Sequence, residues 1–178
     1  MHYLKATAQD RSGNGKADMV VLQFFEQVPN EPDEMVHEAV AIDITADGAA
    51  DILLPGDINR DGCKSAQDKL LLKRFTDIYL KLNWFNAGET WRRYMTMHVV
   101  HTAKNGVPNA IKLSFYECCT SRGKRTLVYT AAGYDGDSDG VLESFTNSDL
   151  DRNGIADHHD KIAIKDLCNT FLAFDWVA

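Results

Sequence analysis

Apolar residues alternate with polar ones on both sides of Asn14-Gly15. Leu4 lies before that pair, and Val20, Leu22 and Phe24 lie after it. Period-two alternation around an Asn-Gly pair predicts a β-hairpin, because both residues accept the positive φ that a tight turn demands. Ile111, Leu113 and Phe115 repeat the alternation beyond Asn105-Gly106. Further strands are expected at Glu38 to Ile44 and at Thr126 to Ala131, each leading into an acidic stretch. After those stretches the period changes to that of a helix. Leu72, Phe75, Tyr79 and Leu82 form one apolar stripe, and Ile164, Leu167, Phe171 and Phe174 form another. Trp84 and Trp176 stand just past the helix ends, where they are expected to seal a core.

Order and spacing recur. An offset of 91 residues lays Tyr3-Leu4 on Tyr94-Met95, Asn14-Gly15 on Asn105-Gly106, and Leu22 to Glu26 on Leu113 to Glu117. One residue more brings Asp57, Gly62, Asp68, Lys73 and Trp84 onto Asp149, Gly154, Asp160, Lys165 and Trp176. Matches at turn, acidic and core positions in one order are the mark of an internal repeat. The expected fold is therefore α+β in two similar halves, residues 1–88 and 89–178, joined near Ala87-Gly88. Each half is expected to hold a small antiparallel sheet, Asp-rich loops and one amphipathic helix.

Composition narrows the chemistry. With 178 residues, 44% hydrophobic, the chain can bury an ordinary core. A net charge of −7 without a Lys/Arg-rich stripe argues against a nucleic-acid partner. No apolar run is long enough to insert into a membrane. Cys63, Cys118, Cys119 and Cys168 have no CxxC spacing and read mainly as packed thiols, with one disulfide left open. The acidity is concentrated in short runs, and this points to metal.

Calcium takes six to eight hard oxygen ligands. A twelve-residue loop can supply them from positions 1, 3, 5, 7, 9 and 12, with glycine at 6. Asp57, Asn59, Asp61, the Cys63 carbonyl, Ser65 and Asp68 fit that scheme around Gly62. Asp149, Asp151, Asn153, the Ile155 carbonyl, Asp157 and Asp160 fit it around Gly154. A third loop offers Asp135, Asp137, Asp139, the Val141 carbonyl and Glu143, but has Thr146 at position 12. A fourth offers Asp43, Thr45, Asp47 and Asp51, with Leu54 at position 12. Two calcium ions are expected from the complete loops and up to four in all. Asp10, Ser12, Asn14 and Asp18 imitate the spacing, yet the matching stretch from His101 to Asn109 does not, and a plain hairpin turn is expected there.

Gly56 to Gly62 followed by Asp68-Lys69-Leu70-Leu71-Leu72-Lys73-Arg74-Phe75 resembles a type I dockerin repeat, and Asp149 to Leu167 resembles a second. The resemblance covers some 40 residues. It implies calcium held by a loop with a following helix but no incoming one, as in half of an EF-hand, and it implies a protein partner. Pro55-Gly56 independently ends any helix ahead of the first loop.

Catalysis is not expected. His158-His159 lies inside a calcium loop, and His98 and His101, three apart, fall on opposite faces of a regular strand. A calmodulin-like switch is not expected either, since Met1, Met19, Met35, Met95 and Met97 lie outside the helices. The expected role is a calcium-ordered structural or interaction module. It would work in an extracellular or virion-surface assembly, as a decoration or appendage protein, because the chain begins at Met without a secretory signal. A secreted dockerin-like adhesion module is the alternative, and a metal-dependent hydrolase a more distant one.

Overall fold

The computed structural model describes residues 1–82, 93–118 and 124–176. Strands β1 (His2–Gln9), β2 (Met19–Glu26), β3 (Glu34–Ile42) and β4 (Ile52–Leu54) precede helix α1 (Ala66–Tyr79). Strands β5 (Arg93–Thr102), β6 (Pro108–Cys118), β7 (Arg125–Tyr134) and β8 (Ser144–Phe145) precede helix α2 (His158–Ala173).

The strands do not form two small sheets, and this corrects the expected α+β architecture of two halves. All eight lie in one antiparallel sheet of order β4-β3-β2-β1-β5-β6-β7-β8, so the fold is β-dominant with two helices packed on one face. Continuity comes from β1 and β5, which pair antiparallel through Leu4–Met97, Lys5–Thr96 and Ala6–Met95. Alternation reports which face a residue occupies and is silent about the strand next door. A β1 left at an edge would expose a full row of unpaired N–H and C=O groups, and pairing with β5 removes that row. The outer edges fall instead to β4 and β8, of three and two residues, too short to template another chain.

The strand expected at Glu38 to Ile44 starts earlier and stops at Ile42, and Thr126 to Ala131 lies inside β7. The inner face carries the alternating residues. Leu4, Ala6, Val20, Leu22, Met97, Ile111, Leu113 and Phe115 have no exposed surface. Leu72, Phe75, Tyr79, Ile164, Leu167 and Phe171 meet them from the helices, and burial of each large apolar side chain contributes roughly 1.5–3 kcal/mol. The Tyr79 hydroxyl, fully buried, donates to the Ala6 carbonyl at 2.8 Å and ties α1 to the sheet centre. Trp176 is buried at the end of the described chain, whereas Trp84 and the Ala87-Gly88 join lie outside the described residues. Cys63, Cys118 and Cys168 are free thiols, and Cys119 also lies outside the described residues.

Candidate metal centre

Both helices begin inside the twelve-residue loops, and the start of each is a capping box. Ser65 is the N-cap of α1 and Asp68 its N3 residue; Asp157 and Asp160 hold the same places in α2. Positions 9 and 12 of the loop are thus the two residues that satisfy the orphan N–H groups of a helix start. The position-12 carboxylate does more. Asp68 accepts from Ser65 N–H through Oδ2 (2.6 Å) and from Ile58 N–H through Oδ1 (2.9 Å). Asp160 accepts from Asp157 N–H (2.9 Å) and Leu150 N–H (2.8 Å) in the same way. Both carboxylates are buried. Desolvation acts to raise the Asp68 pKa, but the donors from Ser65, Asn59 and Ile58 outweigh it and hold the group below its ordinary value.

At the other end of the loop, position 1 accepts the N–H of the position-6 glycine: Asp57 from Gly62 at 3.0 Å, Asp149 from Gly154 at 2.8 Å. Position 5 accepts the N–H of position 7, Asp61 from Cys63 and Asn153 from Ile155. Gly62 and Gly154 have φ of 85° and 97°, which only glycine adopts freely. Position 4 is also left-handed although it is arginine, Arg60 at 58° and Arg152 at 55°. The side chains of Cys63 and Ile155 face solvent, so only their carbonyls could contribute at position 7. Ser65 Oγ and Asp157 Oδ1 are engaged as N-caps, accepting from Gln67 and His159 N–H.

The stretches without a twelfth ligand use a nine-residue version of this frame. Asp43 accepts from Gly48 N–H (2.7 Å), and Asp51, at position 9, accepts from Ile44 and Thr45 N–H. Asp135 accepts from Gly140 N–H (2.7 Å), and Glu143, at position 9, accepts from Gly136 N–H. Asp47 and Asp139 occupy position 5 and accept from Ala49 and Val141. The Thr45 hydroxyl donates to Asp51, while Val141 is exposed. Thr146 and Leu54 are not failed twelfth ligands. Thr146 Oγ1 accepts from Ala132 N–H and Leu54 belongs to β4, so both have left the loop for the sheet.

The stretch from Asp10 to Asp18 has the same frame. Asp10 accepts from Gly15 N–H (2.7 Å), Asn14 from Lys16, and buried Asp18 from Arg11 and Ser12. Its shape is that of the acidic loops rather than of a two-residue hairpin turn. In the stretch from His101 to Asn109 the same two positions, 1 and 9, meet without a carboxylate, His101 Nδ1 and Asn109 Oδ1 at 2.6 Å. The signal was available in the sequence as a carboxylate at position 9, eight residues after the first.

Among the described residues, two groups of carboxylates converge closely enough to hold a metal ion. Oxygens of Asp135, Asp137, Asp139 and Glu143 all lie within 4.8 Å of one another, as do those of Asp149, Asp151 and Asp160. The strain of that convergence shows at Asp151, whose pKa is raised by desolvation and then by the neighbouring carboxylates of Asp160 and Asp149. Asp57 offers a different sign: its Oδ1 is buried and has no hydrogen-bond partner. No family model matches this chain. No curated protein and no solved structure is similar to it either.

The histidines of the second twelve-residue loop stay outside. His158 and His159 are exposed on the first turn of α2, and His159 Nδ1 stands 3.4 Å from Asp157 Oδ1. A β-bulge between Val99 and His101 breaks the regular alternation that separates His98 from His101. His98 is half-buried, and its pKa is lowered by burial and by the charge of Lys112.

Each twelve-residue loop is clasped from behind by an aromatic donor. The Trp176 indole N–H donates to the Ile58 carbonyl at 2.7 Å, and the Arg60 guanidinium lies 4.5 Å from the ring centre. The Tyr129 hydroxyl donates to the Leu150 carbonyl at 2.8 Å, and Arg152 lies 5.8 Å from that ring. Ile58 and Leu150 are both position 2, with side chains fully buried in the core. The sheet and the end of the described chain thus hold the back of each loop through its position-2 carbonyl.

Proposed function

We propose that this protein is a calcium-binding structural module whose acidic loops are ordered by Ca2+ and present a surface for assembly with a protein partner. The observation that carries the reading is the convergence of four carboxylates at Asp135, Asp137, Asp139 and Glu143 and of three at Asp149, Asp151 and Asp160. So many charges this close repel one another strongly unless a cation lies between them. Hard oxygen donors on flexible loops suit calcium better than the small, rigid octahedron of magnesium. The unpartnered Asp57 Oδ1 fits the same reading, since a buried carboxylate oxygen without a donor suits a cation. Asp57, Asn59, Asp61 and Asp68 would hold one ion, and the two converged clusters one each. Asp43, Thr45, Asp47 and Asp51 share the nine-residue frame with fewer charges and would give a fourth, weaker site.

Bound calcium would hold these loops in place by cancelling their repulsion. The capping boxes then couple ion binding to both helices, since Asp68 and Asp160 serve loop and helix at once. Affinities on the order of 10⁻⁴ to 10⁻³ M suit a module that works where calcium is plentiful, on a cell surface, in a secreted assembly or on a virus particle. The loop-then-helix arrangement supports the dockerin-like adhesion module as the alternative reading. Metal analysis and calorimetry of the purified protein test the proposal, with at least two calcium ions per chain expected. Fewer than two would sink it.

A further inference from the structure

The helices cover one face of the sheet, and the other carries two adjoining grooves of about 420 and 410 Å³ that share Lys5. The first is floored by cross-strand ring pairs, Tyr3 on Phe25 (5.1 Å) and Tyr94 on Tyr116 (4.9 Å). Over Tyr94 stand two cations, Lys5 Nζ at 4.9 Å and Arg125 at 5.7 Å from the ring centre. Neither ion-pairs with a carboxylate among the described residues, although the chain as a whole carries −7. The local acid, Asp33, is already engaged by the Tyr3 hydroxyl at 2.7 Å. Desolvation and the charge of Arg125 both depress the Lys5 pKa, so the two cations sit together at a cost that an anion would relieve.

We propose that this face is a binding site for an acidic saccharide, with Lys5 and Arg125 holding its carboxylate and the groove receiving its rings. The fork of a guanidinium matches a carboxylate with two parallel hydrogen bonds, and a lysine beside it adds a point charge. Each groove has the volume of a small-ligand site. The second groove sets Thr7, Gln9, Gln23 and Glu38 beside apolar Met19 and Val40, with Gln23 Nε2 donating to Glu38 Oε2 at 2.9 Å, a mixed lining that suits the hydroxyls and C–H faces of a saccharide. A peptide strand would add at a sheet edge rather than on a face. A second copy of the chain would bring another −7. The site does not depend on the acidic loops and stands or falls separately from them.

Calorimetric titration of the full chain tests it, with a uronic-acid tetrasaccharide, a neutral tetrasaccharide of the same linkage and a hexaglutamate peptide as probes. The acidic sugar is expected to bind at least tenfold more tightly than either of the others. Lys5→Met and Arg125→Gln should each weaken it tenfold or more, with circular dichroism showing an unchanged fold. Tyr116→Ala should weaken the acidic sugar too, and supplies a second readout independent of charge. No heat from the acidic sugar, equal binding of the neutral one, or tighter binding of hexaglutamate would each overturn the proposal.

Discussion

The loops Asp57–Asp68 and Asp149–Asp160 share a backbone, a capping box and a buried twelfth carboxylate, yet they are held by different parts of the molecule. The clasp on the second, Tyr129, comes from β7, only 21 residues from the carbonyl it holds. That on the first, Trp176, comes from beyond α2, 118 residues away, and also stacks on Phe24 and His37 of the sheet. Charge differs as well. The second loop brings three carboxylates together, whereas the first has Asn59 at position 3 and leaves Asp57 Oδ1 without a partner. One backbone frame thus serves a loop whose carboxylates already converge and one whose geometry depends on the far end of the chain. The difference suggests a test: hydrogen bonds shape both loops alike, so if they bind a cation, ligand charge and the packing behind each loop should set the difference in affinity.

Removing calcium should have the largest effect. Two sites at a hundredfold excess over their dissociation constants would stabilise the fold by about 5 kcal/mol, from about 2.7 kcal/mol each. Thermal melts with calcium and with excess chelator are expected to differ by many degrees, and coincident melts would remove calcium from the comparison altogether. Calorimetry sharpens it, because Asp149→Ala should abolish a tighter site than Asp57→Ala, each lowering the ion count by one. The reverse order of affinity would show that the number of converging carboxylates does not set the difference.

Trp176→Ala follows, at roughly 3–5 kcal/mol of stability for a truncated core aromatic, measured by urea unfolding. It should also weaken calcium at Asp57–Asp68 while leaving Asp149–Asp160 unchanged. Equal weakening at both loops would mean that the clasp acts through global stability alone. Trp176→Phe and Tyr129→Phe keep a ring and delete the donor. Trp176→Phe should cost about 1–2 kcal/mol, because the Ile58 carbonyl then loses its partner in a buried setting, and Tyr129→Phe about 0.5–1.5 kcal/mol, because the bond to Leu150 is only part-buried. An effect confined to one of the two variants would break the equivalence of the clasps.

The smallest effect concerns thiols. Cys63, exposed at position 7 of the first loop, should react quickly with a thiol reagent at pH 8, and more slowly with calcium bound. Burial pushes the Cys168 thiol up to about 12, so it should stay unreactive until the protein unfolds. Its folded pKa is above its unfolded one. The associated stability is therefore fully present below about pH 9 and is lost as pH rises from there toward about 12. Rapid labelling of Cys168 in the folded protein would contradict its burial against Gly133.

Much of the candidate site was legible because its logic is local. The spacing of Asp57, Asn59, Asp61, Gly62 and Asp68, and that of Asp149 to Asp160, follows from a chain that must turn around a point within twelve residues. The helix stripes were equally readable, since Leu72, Phe75 and Tyr79 need only a period of 3.6 to share a face. The nine-residue loops were read less well. Asp18, Asp51 and Glu143 close their loops at position 9; a frame built on position 12 offers Asp51 and Glu143 as ligands of incomplete loops and leaves Asp18 in a plain turn.

Sequence by itself determined the acidic loops, the two amphipathic helices and the inward face of each strand, all of which depend on residues within a dozen positions of one another. Only the tertiary structure decided that eight strands make one sheet, that β1 and β5 meet at its centre, and that Trp176 reaches back to Ile58. It also decided that Lys5 and Arg125, far apart in the chain, stand over one tyrosine. The physical reason is the range of the interactions. Period and spacing record how a residue relates to its near neighbours in the chain. Strand partners, aromatic clasps and paired cations are chosen by surfaces that come together only when the whole core closes.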